Sequence, residues 1–125
     1  MTPADIIRAH ATNQGQNPNV LATSIKKFLE QPETKVVREG DCLFLVKNQN
    51  GVGNFYILNG GNSTGYVRAL RAFVVMMRSL GYQKIAMRVQ DQEQSQKIAR
   101  TAGVKSMNYT EVGGTEDPYL MTMEL

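Results

Sequence analysis

The sequence predicts one domain, residues 1–125, of the α/β (α+β) class, in which helices pack on a mixed central sheet. The apolar residues recur first with the period of helices and later as short runs typical of strands. In the middle of the chain a strand, a glycine-containing loop, a long helix and a second strand follow one another, as in a crossover unit with parallel strands. The length of 125 residues and the hydrophobic content of 42% fit a single core.

Two helices are predicted at the start of the chain. Thr2 is a hydroxyl N-cap, Pro3 occupies the first turn and Asp5 places an acid there, so a short helix should begin here and end before Asn13. A second helix is predicted over residues 18–30, because its apolar side chains recur along one helix face: Leu21, Ile25, Phe28 and Leu29.

Three antiparallel strands should follow these helices. A β-rich stretch begins at Val36 and Val37, and residues 42–46 form an apolar run typical of a buried strand. Residues 48–53 are mostly polar and contain Gly51 and Gly53, which indicates a hairpin loop before a strand at residues 55–58.

The second half of the chain predicts the crossover unit. A loop at residues 60–65 leads into a helix over residues 66–80 that ends at Gly81, and residues 84–89 form a strand parallel to 55–58. Asp91 is an N-cap for a helix that runs to Ala102, with Gly103 at its end. Strands at 106–112 and 119–124, joined by a turn at 113–118, complete the order α-α-β-β-β-α-β-α-β-β.

The composition excludes several classes of site. Cys42 is the only cysteine and His10 the only histidine, so an intrachain disulfide, the usual zinc sites and most catalytic triads are excluded, and no metal is expected. His10 should cap the last carbonyls of the first helix, and Cys42 should pack in the core beside Phe44 and Val46. No apolar run reaches the roughly 20 residues of a membrane span. We therefore expect a soluble protein that stays in the cytoplasm or is packaged from it.

The order of elements resembles the fold of the Gcn5-related N-acetyltransferases (GNAT) without the first strand of that family. The residues that carry the resemblance are the glycine-bearing loop, a long helix ending Leu80-Gly81-Tyr82, and a short helix ending Ala102-Gly103-Val104. In this family acyl-CoA lies between the two central parallel strands, and its pyrophosphate binds the start of the long helix. The resemblance therefore implies cofactor contacts at four consecutive residues, Ser63, Thr64, Gly65 and Tyr66.

The expected catalytic positions of the family are not filled. The family's loop pattern falls on Gly60, Ser63 and Gly65, of which Gly65 alone matches, and the family's tyrosine and asparagine on the last helix correspond to Ala99 and Gln92. No carboxylate occurs on the strand before the loop. The sequence thus indicates a degenerate site with no assigned catalytic residue, and the weak stand-ins for the missing tyrosine are Tyr56 and Tyr109.

Three functions are consistent with this pattern. The favoured one is a non-catalytic GNAT-like protein that acts in protein assembly without a cofactor, similar to the GNAT-like virion proteins of short-tailed phages. Its protein partners, other virion proteins among them, would bind three arginines on one side of the long helix: Arg68, Arg71 and Arg78. The alternative is a divergent acetyl-CoA-dependent N-acetyltransferase. A nucleic-acid-binding module using the same arginines is the weaker alternative, because a net charge of +3 is small and no aromatic platform accompanies it.

Overall fold

The computed structural model describes residues 1–114 and 116–125, and its elements follow the predicted order. The turn predicted at residues 113–118 includes Thr115, which lies outside the described residues. The helices are α1 (Pro3–Asn13), α2 (Pro18–Leu29), α3 (Ser63–Ser79) and α4 (Gln92–Ala102). The strands are β1 (Thr34–Glu39), β2 (Cys42–Gln49), β3 (Val52–Asn59), β4 (Lys84–Val89), β5 (Ser106–Glu111) and β6 (Tyr119–Glu124).

The six strands form one mixed sheet in the order β1-β2-β3-β4-β6-β5. All neighbours are antiparallel except β3 and β4, so the predicted parallel pair of the crossover unit is confirmed. The pairing is short, however: Val52–Asn54 of β3 pair with Lys84–Ala86 of β4, and the ladder ends there. The segments predicted to lie side by side, 55–58 and 85–89, therefore separate beyond Asn54 and Ala86.

The hairpin between β2 and β3 is tighter than the predicted loop at residues 48–53. Asn48 and Gln49 pair with Gly53 and Val52, so both strands continue into the polar segment. Only Asn50 and Gly51 remain in the turn, with φ of 55° and 80°. Positive φ at both central residues is the geometry of the two-residue turns that match strand twist, and the Asn-Gly pair is typical of them.

Two helix ends also differ from the predicted ones. The long helix α3 begins at Ser63 rather than at residue 66, because Asn62 is its N-cap and accepts a hydrogen bond from the N–H of Gly65 at 2.8 Å. The loop that precedes α3 thus shrinks to residues 60–62. Helix α1 extends through Asn13 rather than ending before it.

The sheet carries helices on both faces, with a core cluster on each. On one face Phe73 of α3 stacks on Phe44, with 4.1 Å between the ring centroids, and makes a tilted contact with Phe55, with 4.9 Å between the centroids. On the other face Ile6 of α1 and Ile25 of α2 pack with an apolar set from β2 and β3: Leu43, Leu45 and Leu58. Cys42 lies in the first cluster with Phe44 and Val46, as predicted.

Helix α1 lies directly against the loop before α3. A methyl group added to Gly60 would lie 2.9 Å from the Cα of Ile6, so only glycine allows this approach of the two backbones. The contact fixes α1 relative to the end of β3. In the described part of the chain, no helix is both long and apolar enough to cross a lipid bilayer.

Candidate ligand groove between the central strands

A groove of about 1460 Å³ occupies the gap that opens where β3 and β4 separate; we call it the central groove. Its walls include Ile57 and Asn59 of β3 and Met87 of β4. Phe28 of α2 lines it on one face of the sheet, and Ile98 of α4 lines it on the other. Because helices of both faces contribute, the groove passes between the strands and connects the two sides of the sheet.

The edge of β3 presents main-chain hydrogen-bonding groups to the central groove. The N–H of Gly60 donates to the carbonyl of Asp41 on the β2 side, at 2.9 Å. Main-chain groups alternate in direction along a strand, so those of Phe55, Ile57 and Asn59 point the other way, toward β4. Since the ladder with β4 stops at Asn54, these groups border the gap. A bound chain with amide groups would find donors and acceptors there.

The start of α3 forms part of the groove wall. Ser63 and Tyr66, two of the four predicted cofactor residues, line the central groove. Ser63 and Thr64 are the first two residues of the helix, so their N–H groups have no acceptor within it. Gly65 lies instead on a separate cavity of about 430 Å³ that Glu39 and Asp41 also line.

Asn59 connects the end of β3 to three other segments. Its N–H donates to Nδ1 of His10 in α1 at 3.2 Å, and its Oδ1 accepts from the N–H of Gly61 at 2.9 Å and from Sγ of Cys42 at 3.4 Å. The expectation that His10 caps the carbonyls of its own helix is therefore wrong. The ring caps an edge N–H of the neighbouring strand, which has lost its partner because β4 has separated.

The state of the His10 ring follows from this contact. Nδ1 must offer a lone pair to the N–H of Asn59, so the neutral ring carries its proton on Nε2. Burial lowers the pKa of His10 from the ordinary 6.5, which favours the same neutral form. The side chain lines the central groove.

Tyr66 is half-buried in the groove wall, at the first turn of α3. Burial raises the pKa of its phenol, and the nearby Cys42 thiol adds to the shift, so the group keeps its proton at neutral pH. Among the described residues every fully buried side-chain nitrogen or oxygen has a hydrogen-bond partner. The Tyr66 hydroxyl has none there, and it is therefore open to the groove rather than sealed in the core.

The two tyrosines that the sequence offered as stand-ins lie in different surroundings. Tyr56 lines the central groove, is 53% exposed and contacts Phe28 edge-on, with 5.8 Å between the ring centroids. Tyr109 stacks on Tyr119 at 4.5 Å and is not part of the groove lining. Ala99 is buried on α4. Tyr66 thus has the phenol most enclosed by the groove wall.

The three arginines of α3 are exposed but do not form one site. Arg68 lines the second cavity, and Arg71 donates from Nε to the carbonyl of Thr101 at 3.0 Å, which ties α3 to the end of α4. Arg78 lies in the last turn of α3. Sequence reasoning missed Arg88 of β4, which lines the groove and donates from Nε to the carbonyl of Asp117 at 2.8 Å and from Nη2 to that of Gly113.

Carboxylates reach the central groove at one place only in the part of the chain that the structure describes. Glu116 and Asp117, in the connection between β5 and β6, line its rim. The α1 and α2 side presents amides and hydroxyls instead, such as Asn13, Gln14 and Ser24. Within residues 1–114 and 116–125, no group of three or more His, Cys, Asp or Glu side chains is placed to hold a metal ion.

The architecture matches solved acetyltransferase structures over most of their length. A chimera of the spermidine N-acetyltransferase SpeG of Vibrio cholerae and hSSAT superposes with a TM-score of 0.58 at 13% identity, over 98% of this chain and 92% of that one. A Bacillus subtilis acetyltransferase in complex with CoA gives a TM-score of 0.51 at 11% identity, over 82% of this chain and 83% of that one. The chain has a GNAT-like fold.

Sequence comparisons add no closer relative to this likeness. No family model matches the chain, and no curated protein matches it. At these identities the structural likeness concerns the GNAT-like fold alone. One of these solved neighbours, the Bacillus subtilis acetyltransferase, contains bound CoA.

The single histidine gives a test of the His10 contact by pH. Because its pKa is lowered on folding, the unfolded chain binds a proton first as the pH falls below about 6.5, and the stability that the neutral ring contributes is lost in that window. We expect the urea midpoint of the wild type to fall between pH 7.5 and 5.5. Asp5, whose pKa is lowered by its contacts with Thr2, titrates at more acidic pH.

The matched control is His10→Asn, whose side-chain oxygen can still accept from the N–H of Asn59 but does not titrate. Its urea midpoint should change less over the same pH range. Parallel pH profiles for the two proteins would show that the histidine ring is not held neutral in the fold.

Proposed function

We propose that the chain is a divergent acetyl-CoA-dependent N-acyltransferase. The observation that carries this proposal is the open central groove, which passes through the sheet and has the start of α3 in its wall. The degenerate loop pattern and the unfilled catalytic positions of the sequence favour a non-catalytic role instead. An open passage gives two reactants access to one point from opposite faces.

The groove has groups that suit the parts of a CoA thioester. The N–H groups of Ser63 and Thr64, at the positive end of the α3 dipole, suit a phosphate, and no basic side chain is needed for such a contact. The main chain of Phe55 and Ile57 offers donors and acceptors to the amides of a pantetheine arm. Bound acetyl-CoA would supply an activated acyl group.

Tyr66 is the residue that we assign to proton donation. The phenol carries its proton at neutral pH, and its hydroxyl is open to the groove. A phenol so placed is suited to protonate a leaving thiolate, the role for which the family's tyrosine is missing at Ala99. The amine would lose its proton to water, because positioning beside an activated thioester provides much of the rate.

The acceptor that we propose is an amine without further positive charges. Three solved neighbours are named as spermidine N-acetyltransferases, and a polyamine carries several charges that need acidic partners. The described groove residues of α1 and α2 include no carboxylate, and Lys27 adds a positive charge there. A polyamine is therefore a poor electrostatic match to this side of the groove, whereas a monoamine reaches it at low cost. Such an enzyme fits the predicted cytoplasmic location.

The test is a calorimetric titration of acetyl-CoA into the protein and two variants at Ser63. Ser63→Pro removes one free N–H at the first helical position, where proline is well tolerated, and Asn62 already has the extended ψ of 177° that proline requires. Ser63→Ala keeps that N–H. We expect Ser63→Pro to weaken binding about 10-fold or more, as for the loss of a hydrogen bond to a charged group, and Ser63→Ala to bind as the wild type.

Absence of binding at millimolar acetyl-CoA would overturn the proposal and favour the second candidate, a non-catalytic role in protein assembly. The observation in its favour is the outer side of α3, where Val75 is 59% exposed beside Arg71 and Arg78. Such a mixed apolar and basic stripe suits an acidic protein partner. In that case the GNAT-like virion proteins of short-tailed phages would be the functional parallel, with the protein packaged in the particle.

A further inference from the structure

We propose that His10 contacts the acyl group in the central groove, donating a hydrogen bond from Nε2–H to the carbonyl oxygen of the thioester. This inference rests on the proposed function, because it concerns the orientation of an acyl-CoA in that groove. It assigns a chemical role to a residue of α1, the helix that approaches the groove from the face opposite α3.

The first step in the argument is the direction of the Asn59 main chain. Its N–H points into the gap between β3 and β4, where an edge N–H would be a natural donor to a ligand carbonyl. The structure shows that this donor is already used, because Nδ1 of His10 accepts from it at 3.2 Å. The ring thus takes the place of the ligand at this strand group, and at this position the ring itself can offer the ligand a donor in place of the Asn59 N–H.

The second step is the position of the other ring nitrogen. Nε2 lies across the imidazole from Nδ1, so when Nδ1 points at the end of β3, Nε2 points away from it. No hydrogen bond within the described residues occupies Nε2, and no buried side-chain nitrogen there lacks a partner. The Nε2–H is therefore accessible, on a side chain that lines the central groove.

The third step is that the ring is held in place. Ile6 and Ala11 of α1 are fully buried, and the close approach of Gly60 to Ile6 fixes the helix on the loop after β3. Asn59 is itself held through Gly61 and Cys42. A donor that is oriented before the reaction begins stabilises developing charge without a cost of reorganisation.

The chemistry requires His10 to keep its proton throughout. The amine nitrogen forms a bond to the acyl carbon while negative charge grows on the carbonyl oxygen, and the charge returns as the carbon–sulfur bond breaks. Sulfur leaves with the electron pair and takes a proton, and the amine gives up a proton to water. His10 donates a hydrogen bond to the oxygen during this sequence and exchanges no proton, because its only lone pair is engaged by Asn59.

The experiment observes the carbonyl and the ring directly, without an acceptor amine. Acetyl-CoA labelled with ¹³C at the carbonyl is bound to the wild type, and the carbonyl resonance is compared with that of free acetyl-CoA. We expect a downfield shift on binding, since a hydrogen bond polarises the carbonyl. In ¹⁵N spectra the single histidine should show the neutral tautomer with its proton on Nε2, and Nε2 should respond more to acetyl-CoA than to CoA, which has no acyl group.

Two variants separate the roles of the ring nitrogens. His10→Asn can still accept from Asn59 but lacks the distal donor, so the carbonyl shift should be lost. His10→Gln carries an amide donor at about the distance of Nε2, so a large part of the shift should return. A carbonyl shift that is unchanged in His10→Asn, or a proton found on Nδ1, would overturn the inference.

The outcomes also distinguish this inference from the proposed function. Acetyl-CoA that binds the wild type and shows no response at His10 refutes the role of His10 alone. Acetyl-CoA that does not bind at all refutes the acyltransferase proposal, and the inference about His10 with it.

Discussion

Replacing Tyr66 by phenylalanine is expected to lower kcat for acyl transfer about 100-fold, with the Kd for acetyl-CoA close to that of the wild type. General acids contribute about 10²–10⁴-fold to such reactions, and the substitution removes the hydroxyl while the ring remains in the groove wall. The measurement is the initial rate of thiol release from acetyl-CoA, with the monoamine that gives the fastest wild-type turnover. Affinity is measured separately by calorimetry.

The matched control for this prediction is Tyr56→Phe. Tyr56 also lines the central groove, but it is about half exposed and contacts Phe28 through its ring. Its hydroxyl should contribute little, and the rate should stay within about twofold of the wild type. Equal losses in both variants would remove the distinction between the two phenols, and a loss of affinity in Tyr66→Phe would point to a binding role instead.

Replacing Phe73 by alanine is expected to lower the free energy of unfolding by about 3–5 kcal/mol. Phe73 is fully buried and lies between Phe44 of β2 and Phe55 of β3, so its loss leaves a cavity under the edge of the central groove. The aromatic contacts add to the loss of buried area. Urea unfolding followed by circular dichroism measures the change.

Val75→Ala is the matched control on the same helix. Val75 is 59% exposed, and removal of its methyl groups should change the free energy of unfolding by no more than about 0.5 kcal/mol. A loss below about 1 kcal/mol in Phe73→Ala would show that the three rings do not form the packed centre of this face.

The sequence predicts the order of elements well because each element carries its own local pattern. The caps at Thr2 and Asp91 and the apolar face of α2 determine helices whatever the rest of the chain does. The ends of helices are less well determined where residue types that are common in loops also occur in the first turn of a helix. Ser63 and Gly65 favour loops by composition, yet both are helical because Asn62 caps them.

The groove and its histidine could not be predicted in the same way. The gap depends on where the β3–β4 ladder stops, at Asn54 and Ala86, and the apolar pattern of both strands continues past that point. The contact of His10 joins residues 49 positions apart, and it exists because the end of β3 has no strand beside it. The one local indication in the sequence is the polar residue Asn59 at the end of an apolar strand, which indicates that this strand end is not buried in the core.

The short ladder between β3 and β4 gives the sheet an unequal construction. Each of the six strands is paired with a neighbour along six or eight residue pairs, whereas the two halves of the sheet meet through three pairs, near Gly53 and Ile85. The sheet therefore consists of two well-paired groups of strands, β1–β3 and β4–β6, that are joined only by this short pairing. A molecule bound between the two halves pushes them apart. This movement is opposed by the three-residue pairing of β3 with β4 and by α3, which connects these two strands.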